Sequence, residues 1–163
     1  MAGESGQLAF RKTERSVAIQ LLAVCGLTLT VPAAWYVATS QIDQRAWLLW
    51  SLNVLHFAGG VFYVKMHVAA AARRKPFESF AEKARHGAVV LAYHAGLVAV
   101  LLALASSGVV SSRASLAYAP VVVRAFVRIV RLSPTLRIRR LGWTEVAHSL
   151  VCAVTLVAAF RFG

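Results

Sequence analysis

Long apolar runs alternate with short polar segments along the whole chain. Four of the runs hold enough apolar residues to cross a bilayer core, which takes about 20 residues of α-helix. They are Val17 to Thr39, Trp47 to Val68, Gly87 to Ser106 and Trp143 to Phe160. A fifth run, Ala114 to Leu132, is also long enough but contains three arginines. The pattern predicts an all-α fold, a polytopic transmembrane helical bundle of about five spans.

The arginines of the fifth run are regularly spaced. Arg124, Arg128 and Arg131 lie at i, i+4 and i+7 and therefore share one face of a helix. This spacing is also typical of an amphipathic helix that lies on the membrane surface, so the run has two interpretations. The distribution of charge between the loops favours a helix that spans the membrane.

Positive charge is concentrated in alternate loops. Eleven of the 18 Lys and Arg residues precede the first, third and fifth predicted spans, whereas the opposite side holds Arg45, Arg113 and Arg161. Cytoplasmic loops carry the excess of Lys and Arg, so we expect a cytoplasmic N-terminus and an external C-terminus. The predicted organisation is a basic cytoplasmic segment at 1–16 and a single transmembrane domain at 17–163, with a basic cytoplasmic loop at 69–86.

The first run has features of a signal peptide as well as of a membrane anchor. Arg11 and Arg15 precede it, and small residues near Ala33 are typical of a cleavage site. The apolar stretch continues past Trp35 and exceeds the usual length of a signal peptide, which favours an uncleaved anchor.

The composition of the chain determines which partner its excess of positive charge indicates. The 163 residues are 59% apolar and 15% charged, with a net charge of +12. Such a charge suggests a nucleic-acid partner, but the apolar content is that of a membrane protein, so we expect anionic lipid as partner and no nucleic acid. Cys25 and Cys152 both lie inside apolar runs and do not form a disulfide framework.

Ionisable residues inside the predicted spans are the candidate ligand-binding residues. They fall in the cytoplasmic half of the membrane: Lys65, Arg124, Arg128, Glu145 and His148. A single carboxylate cannot neutralise all of the cations, and an unpaired buried charge is costly. We therefore expect an anionic ligand or a lipid headgroup in this cluster. The alternative is that the long side chains extend to the membrane surface.

Polar residues also recur along one face of the second span. The residues at this spacing of three and four are Asn53, His56, Gly60, Tyr63 and His67. A polar face of this kind is typical of contact with other helices of a bundle.

Two histidines suggest an alternative function. His56 and His94 lie on adjacent predicted spans at similar depths, an arrangement that could supply the two axial ligands of haem b. The alternative hypothesis is therefore an electron-transfer membrane protein. Buried, hydrogen-bonded histidines explain the same pattern without a cofactor, and the sequence indicates no other cofactor.

Motifs of the common enzyme classes are absent from the sequence. It contains no Walker loop, nucleophile elbow or zinc cluster, and one Glu-x-x-His pair is too few for a di-iron bundle. We therefore expect no catalytic residues. The sequence favours a binding protein or accessory subunit, with a larger membrane protein complex as a candidate partner.

One segment near the C-terminus carries a family resemblance. It runs from Arg140 to Ser149 and reads RLGWTEVAHS, with FYVKM from Phe62 to Met66 and an arginine in the helix of Pro120 before it. The chain resembles the YwiC-like family of small bacterial membrane proteins over roughly Trp47 to the end. The resemblance implies a multi-pass protein of the bacterial inner (cytoplasmic) membrane, with no assigned reaction.

Overall fold

The described part of the chain, in a computed structural model, is helical. It comprises residues 16–73, 75–135 and 137–162, and within these ranges there are helices and no strand. The predicted segment at 1–16 lies outside the described residues, apart from its last residue. In chain order the helices are α1 (Ser16–Thr39), α2 (Gln44–Ala72), α3 (Phe80–His86), α4 (Ala88–Ser106), α5 (Ser112–Leu116), α6 (Ala119–Val130) and α7 (Ile138–Phe162).

Four of these helices are long and apolar enough to cross a membrane. Among the described residues they are α1, α2, α4 and α7, and apart from Gly87 they contain the four apolar runs that the sequence predicts as spans. The all-helical fold and the membrane character of the chain are therefore confirmed.

The fifth apolar run forms two helices instead of one. α5 has 5 residues and α6 has 12, and the chain turns between them at Ala117 and Tyr118. Ser111 starts α5, because its hydroxyl accepts a hydrogen bond from the backbone N–H of Ala114 at 3.2 Å. Pro120 lies in the first turn of α6, where its missing N–H costs no helical hydrogen bond. At 1.5 Å per residue, α6 alone is about 18 Å long.

Together, α5 and α6 follow the length of α4. The hydroxyl of Ser115 in α5 lies 3.5 Å from the carbonyl oxygen of Leu101, near the C-terminal end of α4. At the other end of α6, the ammonium of Lys83 in α3, the helix that precedes α4, donates to the carbonyl of Val130 at 3.0 Å. The two short helices therefore extend from the C-terminal part of α4 to α3.

The chain divides into two compact units, Met1–Val61 and Phe62–Gly163. In the first unit, the Trp50 indole N–H donates to the carbonyl of Cys25 at 3.3 Å and links α1 to α2. Asp43 caps α2, since its carboxylate accepts backbone N–H bonds from the two residues that follow Gln44.

The core of the second unit lies between α2, α4 and α6. Its buried members are Tyr63, Met66, Ala70, Val90, Ala125, Ile129 and Leu132. Gly87 lets the turn between α3 and α4 approach this core. A Cβ atom on Gly87 would lie 3.0 Å from the Ile129 side chain and 3.2 Å from the sulfur of Met66, so a larger residue would require these side chains to move.

A capped turn leads from the basic loop into α3. The Ser79 hydroxyl accepts from the backbone N–H of Glu82 at 3.2 Å, and Glu82 accepts from the N–H of Glu78 at 2.9 Å. Glu82 also forms an ion pair with Arg73, whose guanidinium lies 4.5 Å from the ring centroid of Phe77. The backbone hydrogen bond, followed by the interactions with Arg73, holds the pKa of Glu82 below its ordinary value.

Candidate anion-binding site

The only carboxylate in the long apolar helices of the described chain is held by an arginine. Arg124 on α6 forms an ion pair with Glu145 on α7. The Arg124 side chain is 7% exposed and that of Glu145 is 25% exposed, so the pair is largely removed from solvent. The Arg124 guanidinium also lies 4.2 Å from the ring centroid of Tyr63 on α2. Arg124 is thus neutralised and packed on an aromatic face.

Three polar atoms beside this pair have no hydrogen-bond partner among the described residues. They are the hydroxyl of Tyr63, Nε of Arg124 and Nε2 of His67, and all three are buried. The rings of Tyr63 and His67 lie 4.7 Å apart on α2. His67 in turn lines a pocket, so this polar stack extends from the buried ion pair to an open cavity.

The pocket has a volume of about 310 Å³ and an unusually basic wall. Residues from the end of α2, the end of α6, the α6–α7 connection and the start of α7 form it. They are His67, Arg128, Arg131, Ser133, Thr135, Arg137, Arg140 and Leu141. We call this cavity the arginine pocket.

No carboxylate of the described residues lines the arginine pocket to offset its four arginines. Within residues 16–73, 75–135 and 137–162, the two ion pairs are Arg73 with Glu82 and Arg124 with Glu145, and neither includes a pocket arginine. The pocket therefore concentrates positive charge that the described chain does not balance.

The position of two pocket arginines at the start of α7 increases this imbalance. A helix N-terminus carries a partial positive charge and favours acidic residues, but the first turn of α7 has none. Arg137 directly precedes Ile138, where α7 begins, and Arg140 lies in the first turn. Arg128 lies at the favourable C-terminal end of α6. The helix dipoles thus favour a positive charge at Arg128 and disfavour the positive charges of Arg137 and Arg140. An anion bound at the start of α7 would compensate this unfavourable interaction.

The structure divides the predicted ligand cluster. Arg124 and Glu145 satisfy each other, whereas Arg128 lines the arginine pocket. His148 is half-buried, and its Nδ1 lies 2.6 Å from the carbonyl oxygen of Thr144 in its own helix. Lys65 is half-buried on α2 and is not among the residues that line the pocket. Of the five predicted residues, Arg128 is the one in the pocket.

Sequence reasoning missed most of the pocket. The charge rule accounts for Arg137 and Arg140 as determinants of orientation alone, and extension of a long side chain to the membrane surface accounts for Arg131. The signal in the sequence is a Ser-Pro-Thr connection with arginines on both sides, at Ser133 to Thr135. A short connection brings two helix ends together, so arginines near both ends converge.

The histidines of the haem hypothesis lie in different units, and both are buried. Nδ1 of His94 is 2.8 Å from the carbonyl oxygen of Val90, and Nε2 of His94 is buried without a hydrogen-bond partner in the described part of the chain. The same part of the chain holds no group of three or more side chains that could bind a metal ion. The pairing of His56 with His94 stays a prediction.

Comparison with known proteins finds no relative of this chain: no family model, no curated protein and no solved structure matches it. The resemblance to the YwiC-like family therefore stays a prediction. The arginine pocket and the ion pair beside it are the features of the described chain whose chemistry indicates a function.

Proposed function

We propose that this protein is a multi-pass membrane protein that binds an anion in the arginine pocket. The observation that carries the proposal is the convergence of four arginines on one cavity, in whose wall the described part of the chain places no carboxylate. Like charges repel, so this arrangement is unfavourable when the pocket holds only water. A bound anion converts the repulsion into attraction and gives the guanidinium groups their preferred partner.

The shape of the site favours binding over a solvated charged surface. Arginines that extend separately to lipid headgroups would point away from one another, whereas these four line one concave space with two hydroxyls. Guanidinium N–H groups and hydroxyls all donate hydrogen bonds, and their convergence is complementary to an acceptor-rich ligand.

We propose the membrane topology that the loop charges predict, with five spans and a cytoplasmic N-terminus. Packing of α5 and α6 along the length of α4 supports a fifth crossing made of two helices. In this topology the arginine pocket opens on the cytoplasmic side of a bacterial inner membrane, beside the basic loop at 69–86. Membership of the YwiC-like family is part of the same proposal.

Labelling of single cysteines tests this topology. Cys25 and Cys152 are first replaced by serine, and one cysteine is then introduced at Ser107, before α5, or at Thr135, after α6. If α5 and α6 cross the membrane, a membrane-impermeant maleimide labels the Ser107 variant in intact cells and the Thr135 variant only after lysis. Labelling of both variants from the same side would show that α5 and α6 do not cross.

Thermal unfolding of the purified protein in neutral detergent tests anion binding. The panel contains phosphate, sulfate, citrate and chloride at constant ionic strength, because ligands that bind the native state raise its unfolding midpoint. We expect at least one multivalent anion to stabilise the wild type and the Arg139→Ala variant but not Arg128→Ala. Arg139 is the matched control, since it is exposed beside Arg140 and is not among the pocket residues. Equal shifts in all three proteins, or none, would refute the proposal.

We infer that the role is binding as an accessory subunit, without turnover. Donors dominate the lining of the pocket, and the only side chain there that could act as a base near neutral pH is His67. Blue native electrophoresis of gently solubilised membranes tests the partner. We expect the protein to migrate in a complex larger than the purified 17.6 kDa chain in the same detergent, and co-migration with that chain would contradict this role.

Haem binding is the second candidate, and the orientation of His94 is the observation that favours it. A ligating histidine typically gives its other ring N–H to a carbonyl, as Nδ1 of His94 does with Val90 if that nitrogen is protonated. Optical absorption of protein from haem-supplied cells tests it. A reducible Soret band that is lost in His94→Ala would support haem, and its absence from the wild type would end this hypothesis.

A further inference from the structure

We propose that the arginine pocket recognises the phosphate group of a phosphomonoester. This inference rests on the proposed anion-binding function and narrows it to one ligand chemistry. It depends on three features: the number and placement of the arginines, the additional hydrogen-bond donors, and the size of the cavity.

The number and placement of the cations fit phosphate better than carboxylate. Two of the four arginines lie at or directly after the end of α6, and the other two lie directly before or in the first turn of α7, so the cations come from two helix ends. A carboxylate carries one charge and two oxygens in a plane, which two guanidinium groups can satisfy. A phosphomonoester carries close to two charges at neutral pH and has three terminal oxygens in a tetrahedral arrangement, so it can face guanidinium groups from several directions.

Neutral donors in the wall match the remaining acceptor positions. The hydroxyl oxygens of Ser133 and Thr135 are 2.8 Å apart, so one hydroxyl donates to the other and one hydroxyl hydrogen is left for a ligand. Nε2 of His67 is buried and has no partner in the described chain, although His67 lines the pocket. In the tautomer protonated at Nε2, this nitrogen can donate to a phosphate oxygen.

The size of the cavity indicates that the phosphate carries an organic group. Small-molecule sites typically occupy about 300–1,000 Å³, and the arginine pocket at about 310 Å³ lies at the lower end of that range. Leu141 gives the wall an apolar contact beside the arginines. This chemistry is shared by two sources, a soluble phosphomonoester and the monoester headgroup of phosphatidic acid in the adjoining leaflet.

The experiment measures binding of defined probes to the full-length protein. The soluble probes are glycerol 3-phosphate and, as a carboxylate of higher charge, citrate, compared at constant ionic strength in neutral detergent. The membrane probe is a phosphatidylcholine nanodisc with or without phosphatidic acid, in which the unfolding midpoint is measured. Both arms use the wild type and two variants, Arg140→Ala and Arg139→Ala. The two variants remove the same charge from adjacent positions.

We expect the phosphomonoester, in at least one arm, to bind at least tenfold more tightly than citrate or to raise the unfolding midpoint. Arg140→Ala should lower the affinity for the phosphomonoester at least tenfold or abolish the rise in the unfolding midpoint. The affinity of Arg139→Ala should stay within about twofold of the wild-type affinity. If Arg140→Ala does not fold, Arg140→Lys keeps the charge without the fork-shaped donor set, and we expect an intermediate loss.

The outcomes separate the two proposals and the two sources. Binding in the soluble arm identifies a free phosphomonoester, and a shift in the nanodisc arm alone identifies the lipid headgroup. If citrate bound more tightly than glycerol 3-phosphate and Arg140→Ala weakened the binding of citrate, phosphate recognition would be overturned and the proposal of anion binding would stand. Equal responses of Arg140→Ala and Arg139→Ala would overturn the assignment of the site. No response to any anion in either arm would overturn both proposals.

Discussion

Arg124 and Arg128 are one turn apart on α6, yet they have opposite environments. Arg124 is buried, ion-paired with Glu145 and stacked on Tyr63. Arg128 is half-buried, lines the arginine pocket and has no carboxylate partner among the described residues. The same residue type on the same helix face thus has a structural role in one position and a proposed binding role in the other.

The difference follows from what surrounds each guanidinium. Removal of either member of the buried ion pair would leave the remaining charge uncompensated in a poorly solvated site. The pair therefore contributes to the stability of the second unit. A charge at the wall of an open pocket stays hydrated and stabilises little by itself. We therefore expect substitutions at the two positions to act on different measured quantities.

Loss of Arg124 should have the largest effect on stability. Arg124→Ala leaves the Glu145 carboxylate without its partner and removes the contact with Tyr63, and we expect a loss of about 3 kcal/mol. Reversible unfolding in mixed micelles measures it. The Arg139→Ala variant controls for the removal of one positive charge and should stay within about 0.5 kcal/mol of the wild type.

A double substitution separates the ion pair from the contact with the ring. Arg124→Met with Glu145→Met removes both charges and keeps side chains of similar length, so no buried charge is left unpaired. We expect the double variant to be more stable than Arg124→Met alone. If the double variant lost as much free energy of unfolding as the two single variants together, the two side chains would not interact.

Loss of Arg128 should change affinity and leave stability almost unaltered. We expect Arg128→Ala to lower the affinity for the stabilising anion at least tenfold, because charge-assisted hydrogen bonds to the ligand disappear. Without the anion, its free energy of unfolding should stay within about 1 kcal/mol of the wild type. Titration and unfolding of one preparation give both values. A loss of stability as large as that of Arg124→Ala would remove the contrast between the two positions.

A glycine substitution tests whether the position of α6 links the two environments. Gly87→Ala places a methyl group against Ile129, the buried residue of α6 that follows Arg128. We expect a loss of about 1 kcal/mol in the free energy of unfolding and a weaker anion response, since the Ile129 and Met66 side chains must move to make room. Gly96→Ala is the matched control, because a Cβ atom there meets nothing within 4 Å. Equal behaviour of the two variants would contradict the close approach at Gly87.

Loss of the exposed ion pair between Arg73 and Glu82 should have the smallest effect on stability. The pKa of Glu82 is lowered in the folded protein, so its contribution is complete above about pH 4.3, the ordinary value for glutamate. The contribution is lost as the pH falls through the lowered value. We expect the difference in unfolding midpoint between wild type and Glu82→Gln to be constant near neutral pH and to vanish in acid. A difference that persists in strong acid would show that the charge of Glu82 is not its origin.

The helices could be predicted well from the sequence. A run of some 20 apolar residues leaves the backbone few alternatives to a helix in lipid, which is why the four long helices match the predicted runs. The break in the fifth run could not be predicted by length. It depends on local features, the cap at Ser111 and Pro120 at the start of α6, that a count of apolar residues does not register.

The candidate site could be predicted only in part. Helix periodicity places Arg124, Arg128 and Arg131 on one face, but it does not indicate which of them meets Glu145. The positive-inside rule explains Arg137 and Arg140 completely as topology, so nothing in the sequence required a second role for them. That role appears only when the α6–α7 connection brings both arginines to the cavity that Arg128 also lines.

The turn at Ala117 and Tyr118 also has a consequence for biogenesis. In the proposed topology, α6 is short and carries two arginines, each of which opposes insertion of a lone helix by up to roughly 3 kcal/mol. Glu145, which neutralises Arg124, is synthesised 21 residues later, on α7. Retention of α5 and α6 at the translocon until α7 emerges would therefore let the last helices enter the lipid together, with Arg124 already paired with Glu145.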